Sequence, residues 1–594
     1  MTLPKLFRDR ASMWSDKTCV KVKREGKYRD ASWKTFYEEV SATAAGLMNA
    51  GLSPGDRVAI LSHTRYEWSM SDAAILSAGG ITVPLYPSLT KPEIVSLLRR
   101  SGSRYLFTSD AELAKLVAGL IDEVEFVEKV IVFEEGALEG ISSKKFVSLK
   151  SFSSGKVDRA RLDARIDAAK EEDVFTIIFT SGTTGEPKGV MLTHRNMISN
   201  VEAALSIFDI GPGDLHLSHL PLAHVLERLG CYVMFYSGAA VAYAEHINKV
   251  ADNMAEVAPT ISVSVPRIFE KIYAGIQAKA LEAPFLTRQL AFRAIKVAQK
   301  VGQRRDSDQK IPAHLSWQFA IADKLIYSKI RQKFGGRIRI FVSGGAPLAP
   351  ELALFFNAIG IPVFEGYGLT ETSPIISANV PGNQHAGSVG NIVPGVQCRI
   401  APDGEITVKG PNVFKGYYQD EAATKAAFDE DGWFLTGDIG RFDQYGCLRI
   451  TDRKKDLIVT AGGKKVAPQK IENILKLDKF IEEVMLYGES KKFMTALVVP
   501  DFAWLEKYAA YKKIPWTSRT DLVADPKIID LITRRIERAQ AGTHLASYES
   551  IKKFVLLDHS FSQHEGEVTP TLKIRRKNIT ERYKPLLEKL YEEG

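Results

Sequence analysis

Ten residues, TSGTTGEPKG at 180–189, hold three glycines, three threonines, a serine and a lysine directly after the apolar run VFTIIF. Backbone N–H groups and hydroxyls can wrap a polyphosphate, and glycines let the main chain come close to it. Gly182, Gly185 and Gly189 fit that role, with Thr180, Ser181, Thr183 and Thr184 as hydroxyl donors and Lys188 as a point charge. A Walker loop requires Gly-Lys-Ser/Thr, whereas the order here is Lys-Gly-Val, so this is a different loop or a solvated Gly/Thr turn.

Further stretches offer complementary chemistry. FVSGGAPL at 341–348 ends a strand-like run on Gly344, Gly345 and Ala346, small enough for a flat base to lie against, although Pro347 equally suits a first helical turn. In FEGYGLTETSP, Glu365, Gly366, Tyr367 and Gly368 precede Thr370 and Glu371. The Tyr367 ring can face adenine, Thr370 can offer a hydroxyl to an α-phosphate, and Glu371 can offer a carboxylate to Mg²⁺ or stand as a surface acid. Asp438 in DGWFLTGDIG follows a tight Thr-Gly turn, where its carboxylate can accept from two ribose hydroxyls or brace the turn. TDRKKD at 451–456 and the run KIRRK, taken alone, read as solvated charge.

The order and spelling of TSGTTGEPKG, SGGAPL, EGYGLTETSP, WFLTGD and ITDRKKD closely resemble the acyl-adenylate-forming superfamily, and the likeness runs from SWKTFYEEV at 32 to PTLKIRRK at 570. The resemblance implies ATP, Mg²⁺ and coenzyme A as co-reactants: an acid becomes acyl-AMP with release of pyrophosphate, and the acyl group then passes to CoA. It assigns Glu371 and Thr184 to Mg²⁺, Asp438 and Arg453 to the ribose, and Lys573 to the bridge between carboxylate and α-phosphate. Lys455 becomes the pivot of a mobile last domain, and Gly462 and Gly463 in TAGGKK line the pantetheine channel. Leu572 stands where the family usually has Gly before the lysine, a mild departure.

HLPLAHVLERLG at 219–230 resembles long-chain fatty acyl-CoA synthetases and puts His224 near the reacting carboxylate, with a buried core histidine as the alternative. Some relatives carry a gating Trp four residues after that histidine; here it is Arg228, so no Trp-type gate is expected. The resemblance therefore implies a long-chain fatty acid–CoA ligase. Delivery of the acyl group to a separate carrier protein, or a noncatalytic lipid- or nucleotide-binding relative, are the alternatives.

These residues need a scaffold. Apolar runs at 56–62, 104–109, 129–135, 174–180 and 337–345 alternate with helical segments such as KPEIVSLLRRSG, where Ile94, Leu97 and Leu98 share a face and Gly102 ends it. That alternation predicts an α/β fold. After about residue 387 the segments become short and Gly/Pro-punctuated, and the resemblance implies a large N-terminal domain of sheet-and-helix subdomains plus a β-barrel-like one, capped by a small mobile α+β domain. The expected division is 1–452, a hinge at 453–456, and 457–594.

With 594 residues, 45% apolar and 25% charged, the chain is an ordinary globular protein too long for one core. Cys19, Cys231, Cys398 and Cys447 form no CxxC pair, which fits a reducing, cytoplasmic setting without disulfides or zinc. No run is long and apolar enough to span a bilayer. The net charge of +8 is modest and points to no nucleic acid, but residues 288–333 hold eleven Lys/Arg against three Asp. Residues 286–334 thus read either as a basic amphipathic surface for anionic membrane or as a solvated helix pair.

Overall fold

The computed structural model describes residues 1–180, 187–543, 545–569 and 573–592. Two large sheets lie at its centre. The first has eight strands, built outward from the parallel set Arg57–Leu61, Ile81–Leu85, Tyr105–Thr108 and Lys129–Val132. Val174–Thr180 joins it in parallel and is followed by antiparallel Lys188–Thr193. The second has nine strands; Leu215–Ser218, Ile261–Ser264, Ile340–Ser343 and Val363–Gly368 run parallel at its heart. Strands buried on both faces read as continuous apolar runs, as VFTIIF does.

The β-rich segment is an open four-stranded antiparallel sheet of Gln397–Ile400, Glu405–Lys409, Phe434–Phe442 and Leu448–Arg453. Beyond it lies a smaller α+β unit with a three-stranded sheet of Ile481–Tyr487, Met494–Pro500 and Ile551–Leu556. Its core has its own apolar cluster around Ile471, Leu486, Val498 and Ile532. Among the described residues no helix is long and apolar enough to cross a membrane.

Local sequence sets the element ends. Lys91–Ser101 opens with a capping box between Thr90 and Glu93 and closes on Gly102, whose φ of 60° is the left-handed conformation that glycine tolerates best. Helix Val225–Ser237 starts from His224, whose ring nitrogen accepts from the Leu226 N–H.

That helix sits between the two sheets, and Arg228 fixes it there. Only 1% exposed, Arg228 donates through Nε to Asp72 at 3.0 Å and through Nη1 to Thr176 at 2.8 Å, and it also pairs with the other Asp72 oxygen. Tyr232 and Thr82 donate to the same carboxylate. Asp72, Thr82 and Thr176 belong to the first sheet and its helix, whereas Arg228 and Tyr232 belong to the helix packed on the second. Removing one partner from such a buried pair typically costs about 3–5 kcal/mol, because the other charge is left without compensation. Asp72→Ala is therefore expected to lower unfolding stability by about that amount in urea titration, far more than an exposed Asp→Ala change.

Candidate active site

A cleft and tunnel of about 3930 Å³ run between the two sheets and under the C-terminal unit. Its mouth lies at the carboxyl ends of the parallel strands, where α/β sheets bind ligands because loops and backbone dipoles converge there. Thr180 ends one strand and pairs in register with Lys188 on the next, antiparallel strand. Ser181, Gly182, Thr183, Thr184 and Gly185 lie outside the described residues.

Lys188 reaches over the Tyr417 ring, 4.9 Å from its centroid, and the Tyr417 hydroxyl donates to Glu371 Oε1 at 2.9 Å. Lys188 and Glu371 are thus joined through one aromatic ring. Glu371 and Thr370 sit on a single 3-10 turn after strand Val363–Gly368. Asn200 and Asn412 hold that turn by donating to the Thr372 carbonyl. Gly368 permits it, since a Cβ there would stand 1.6 Å from the Pro374 carbonyl oxygen. Burial pushes the Glu371 carboxyl up, against its backbone hydrogen bond and that from Tyr417. A hard cation would relieve that cost, so the carboxylate with its neighbouring hydroxyls suits Mg²⁺.

Across the mouth, Asp438 and Arg453 are register partners on adjacent strands, with Nε 3.2 Å from Oδ1. The Tyr367 hydroxyl donates to the other Asp438 oxygen at 2.7 Å. Burial raises the Asp438 carboxyl, opposed by Arg453, Tyr367 and Lys573. Gly344, Gly345 and Ala346 line the same space, with Gly344 against Leu226 and Gly345 at φ 80°. Glu365 is buried behind them, where the backbone N–H groups of Gly387 and Leu348 donate to it. Its side chain ties the Gly344–Leu348 turn to the Gly387 turn, while Gly366 continues the strand beside Ala378.

Lys573 arrives from the C-terminal unit. Its backbone is fixed by paired bonds with Thr569: the Lys573 N–H donates to Oγ1 at 3.0 Å and its carbonyl accepts at 2.8 Å. The side chain is open to small molecules yet walled in by protein, and it feels Arg453, Asp438, Glu371 and His224. Burial and Arg453 lower its pKa, partly offset by the two carboxylates. His224 is pushed down to about 4, first by burial and then by Lys573, so it is neutral near pH 7. Because its Nδ1 accepts from Leu226, its proton sits on Nε2, which leaves a hydrogen-bond donor rather than a base.

Contacts between the units hold this closure: Arg267 pairs with Glu482 at 3.0 Å, and Gln563 donates to Ser88 at 2.9 Å.

Residues 7–418 match the family model described as AMP-binding enzyme, and residues 455–594 match that of the AMP-binding enzyme C-terminal domain. The chain belongs to the AMP-binding enzyme family. It is 37% identical over 571 residues to the long-chain-fatty-acid–CoA ligase FadD15 of Mycobacterium bovis, covering 96% of this chain and 93% of that protein. It is 32% identical to the peroxisomal long chain acyl-CoA synthetase 7 of Arabidopsis thaliana, covering 96% and 83%. Among solved structures, the adenylation domain of the carboxylate reductase of Mycobacterium chelonae matches with TM-score 0.80 at 21% identity over 100% and 91% of the two chains. ATP-bound MatB of Rhodopseudomonas palustris matches with TM-score 0.69 at 24% identity over 99% and 100%.

In this AMP-binding enzyme the cleft continues as an apolar tunnel between helix Val225–Ser237 and the second sheet, walled by Ala204, Phe208, Leu229, Val233, Val263 and Val342. Arg228 points away from it, into the Asp72 pair, so the position of the missing Trp is a structural staple. Lys455 lines the cleft, whereas Gly462 and Gly463, at the exposed tip of the hairpin whose Ile458 also lines it, are not part of its wall. Sequence reasoning missed Tyr417, which has no spacing signal of its own; only the pairing of Gly416–Tyr417 with Lys188–Thr193 brings it to Glu371.

Glu365 gives a pH test. Burial raises its pKa from 4.5 to about 8, so the folded chain holds a proton that the unfolded chain releases. Its contribution to stability is fully present below the unfolded pKa and is lost as pH rises towards about 8. Glu365→Gln, which cannot ionise, is expected to gain stability relative to the parent between about pH 5 and about pH 8 in paired urea titrations.

Proposed function

We propose that this chain activates a long-chain fatty acid with ATP and transfers the acyl group to coenzyme A. The observation that carries this reading is Lys573, delivered by the C-terminal unit to face His224, Asp438, Arg453 and Glu371 where an apolar tunnel opens. A carboxylate seated at that opening would meet the His224 Nε2–H and the Lys573 ammonium. Its oxygen bonds to the α-phosphorus as the bond to pyrophosphate breaks, and such transfers depend on positioning and electrostatic stabilisation.

In this reading Thr180, Lys188 and the loop at 181–185 grip the phosphates. Gly344, Gly345, Ala346, Gly366, Tyr367 and Gly368 flank the base, Glu365 braces that wall, and Asp438 with Arg453 hold the ribose. Thr370 bonds the α-phosphate. Glu371, with Thr184, would hold Mg²⁺, which supplies charge neutralisation at the phosphates when bound.

The thiol of coenzyme A then attacks the acyl carbonyl, the bond to AMP oxygen breaks, and the thiol proton leaves. Lys573 occupies the approach, so it must withdraw first. We assign residues 1–452 and 457–594 to two bodies that turn about 453–456 at Lys455, which would bring Gly462 and Gly463 to the cleft. Lys573→Ala is expected to lower acyl-AMP formation, read as acid-dependent pyrophosphate release, by about a hundredfold or more. It should spare most thioesterification of supplied acyl-AMP, and equal loss of both steps would refute the assignment.

The substrate's source has a matching surface. Phe285, Leu286 and Leu290 are exposed on helix Phe285–Asp306, with Leu286 at 75%. Trp317, Ile321 and Leu325 form a second exposed stripe at four-residue spacing, with Trp317 at 68%. Water-facing apolar side chains amid eleven Lys/Arg fit docking on anionic lipid. The protein is expected to float with phosphatidylglycerol-containing vesicles, and Leu286→Ser/Trp317→Ser to remain in the soluble fraction.

A further inference from the structure

The apolar tunnel has a closed end, and two different elements put it at the same depth. Strand side chains alternate between faces. The cavity is lined by Ile261 and Val263 of one strand, Ile340 and Val342 of the next and Phe364 of a third, which their register places on a single face of the second sheet. Opposite them, helix Val225–Ser237 presents Leu226, Leu229, Gly230, Val233 and Met234, the i, i+3, i+4, i+7, i+8 spacing of one helical face.

As the crossover between the parallel strands Leu215–Ser218 and Ala240–Tyr243, that helix runs from the mouth at His224 back towards the amino ends of the strands, and Met234 is the last of its residues on the wall. At about 1.5 Å per residue the descent from His224 to Met234 is about 15 Å. The strand descends from Gly344 to Ile340, about 13 Å at about 3.3 Å per residue. Among the described residues neither Ser237 nor Ile338, further down the helix and the strand, lines the cavity. The floor is Phe208, where helix His194–Ile207 ends and the chain turns towards the amino end of strand Leu215–Ser218. Its ring packs edge-on against Phe364, with centroids 5.0 Å apart. Beyond it, Asp214 accepts from Arg339 Nε at 3.0 Å, Thr260 Oγ1 at 2.7 Å and the Gly211 N–H at 3.0 Å. This clasp pins the loop after Phe208 to the residues that precede two wall strands, Ile261–Ser264 and Ile340–Ser343, and so holds the floor in place.

We propose that Phe208 sets the chain-length limit of this enzyme, so that its preferred substrates are saturated acids at the short end of the long-chain class. An extended chain advances roughly 1.25 Å per carbon–carbon bond, so a tunnel of about 13–15 Å takes about ten to twelve bonds, an acid of about twelve carbons. A palmitoyl chain would reach about 19 Å and overrun the floor by about 4 Å. Each methylene that fits gains apolar burial, whereas one that does not must displace a packed ring. The inference rests on the long-chain acid reading given above.

The test measures kcat/KM for saturated acids from caprylate to arachidate by acid-dependent pyrophosphate release. In the parent enzyme it is expected to peak at laurate or myristate and to fall about tenfold or more by stearate. Phe208→Ala removes the ring and should move the peak up to palmitate or stearate. Ala204→Leu adds bulk to the wall one turn above the floor and should move the peak down to decanoate. Each shift is a ratio within one variant, and a general loss of stability would not send the two in opposite directions. A parent profile that is flat or still rising from myristate to stearate, or a peak that stays in place in either variant that folds, overturns the role of Phe208. Use of none of these acids instead overturns the long-chain reading itself.

Discussion

A single buried guanidinium sets the frame for everything around the cleft. Arg228 crosses from a helix of the second sheet to Asp72 and Thr176 of the first, where low dielectric and full hydrogen bonding make the pair intolerant of partial loss. One turn before it stands His224, which caps the helix and feels the charge of Lys573. One residue before it is Glu227, and two after it is Gly230, on the faces that meet the sheet and the tunnel. Anchoring that helix therefore fixes the mouth, the wall and the floor of the tunnel together.

The mouth is a balance of charges that no single unit supplies. Glu371 and Asp438 are carboxylates raised by burial, and Arg453 and Lys573 are the cations that oppose that shift. Lys573 comes from a body with its own apolar core, tied to the larger one by polar contacts such as Arg267 to Glu482. A cation held by modest interdomain contacts can enter and leave at low cost. In the proposed cycle the chemistry of the first step and the access required by the second are separated by that motion.

Much of the fold was legible before any coordinates. The apolar run at 174–180 is a strand and that at 337–345 contains one, the helix ending at Gly102 ends there through its left-handed backbone, and the change of texture after 387 is the four-stranded sheet. These features are local: side-chain period, capping residues and turn chemistry act over a few positions. Arg228 was legible only as an absence of Trp. Its actual partner, Asp72, lies 156 residues away, and no local rule connects them.

The sequence by itself determined the motifs, their order and the family they resemble, because short segments such as TSGTTGEPKG and EGYGLTETSP carry their backbone requirements and functional groups within themselves. Only the tertiary structure decided which groups meet: Tyr417 between Lys188 and Glu371, Asp438 against Arg453 and Tyr367, and buried His216 against buried Glu227. It also decided protonation, keeping His224 neutral and Glu365 protonated. The physical reason is that burial and charge proximity are properties of packing, created when distant segments exclude water from one another.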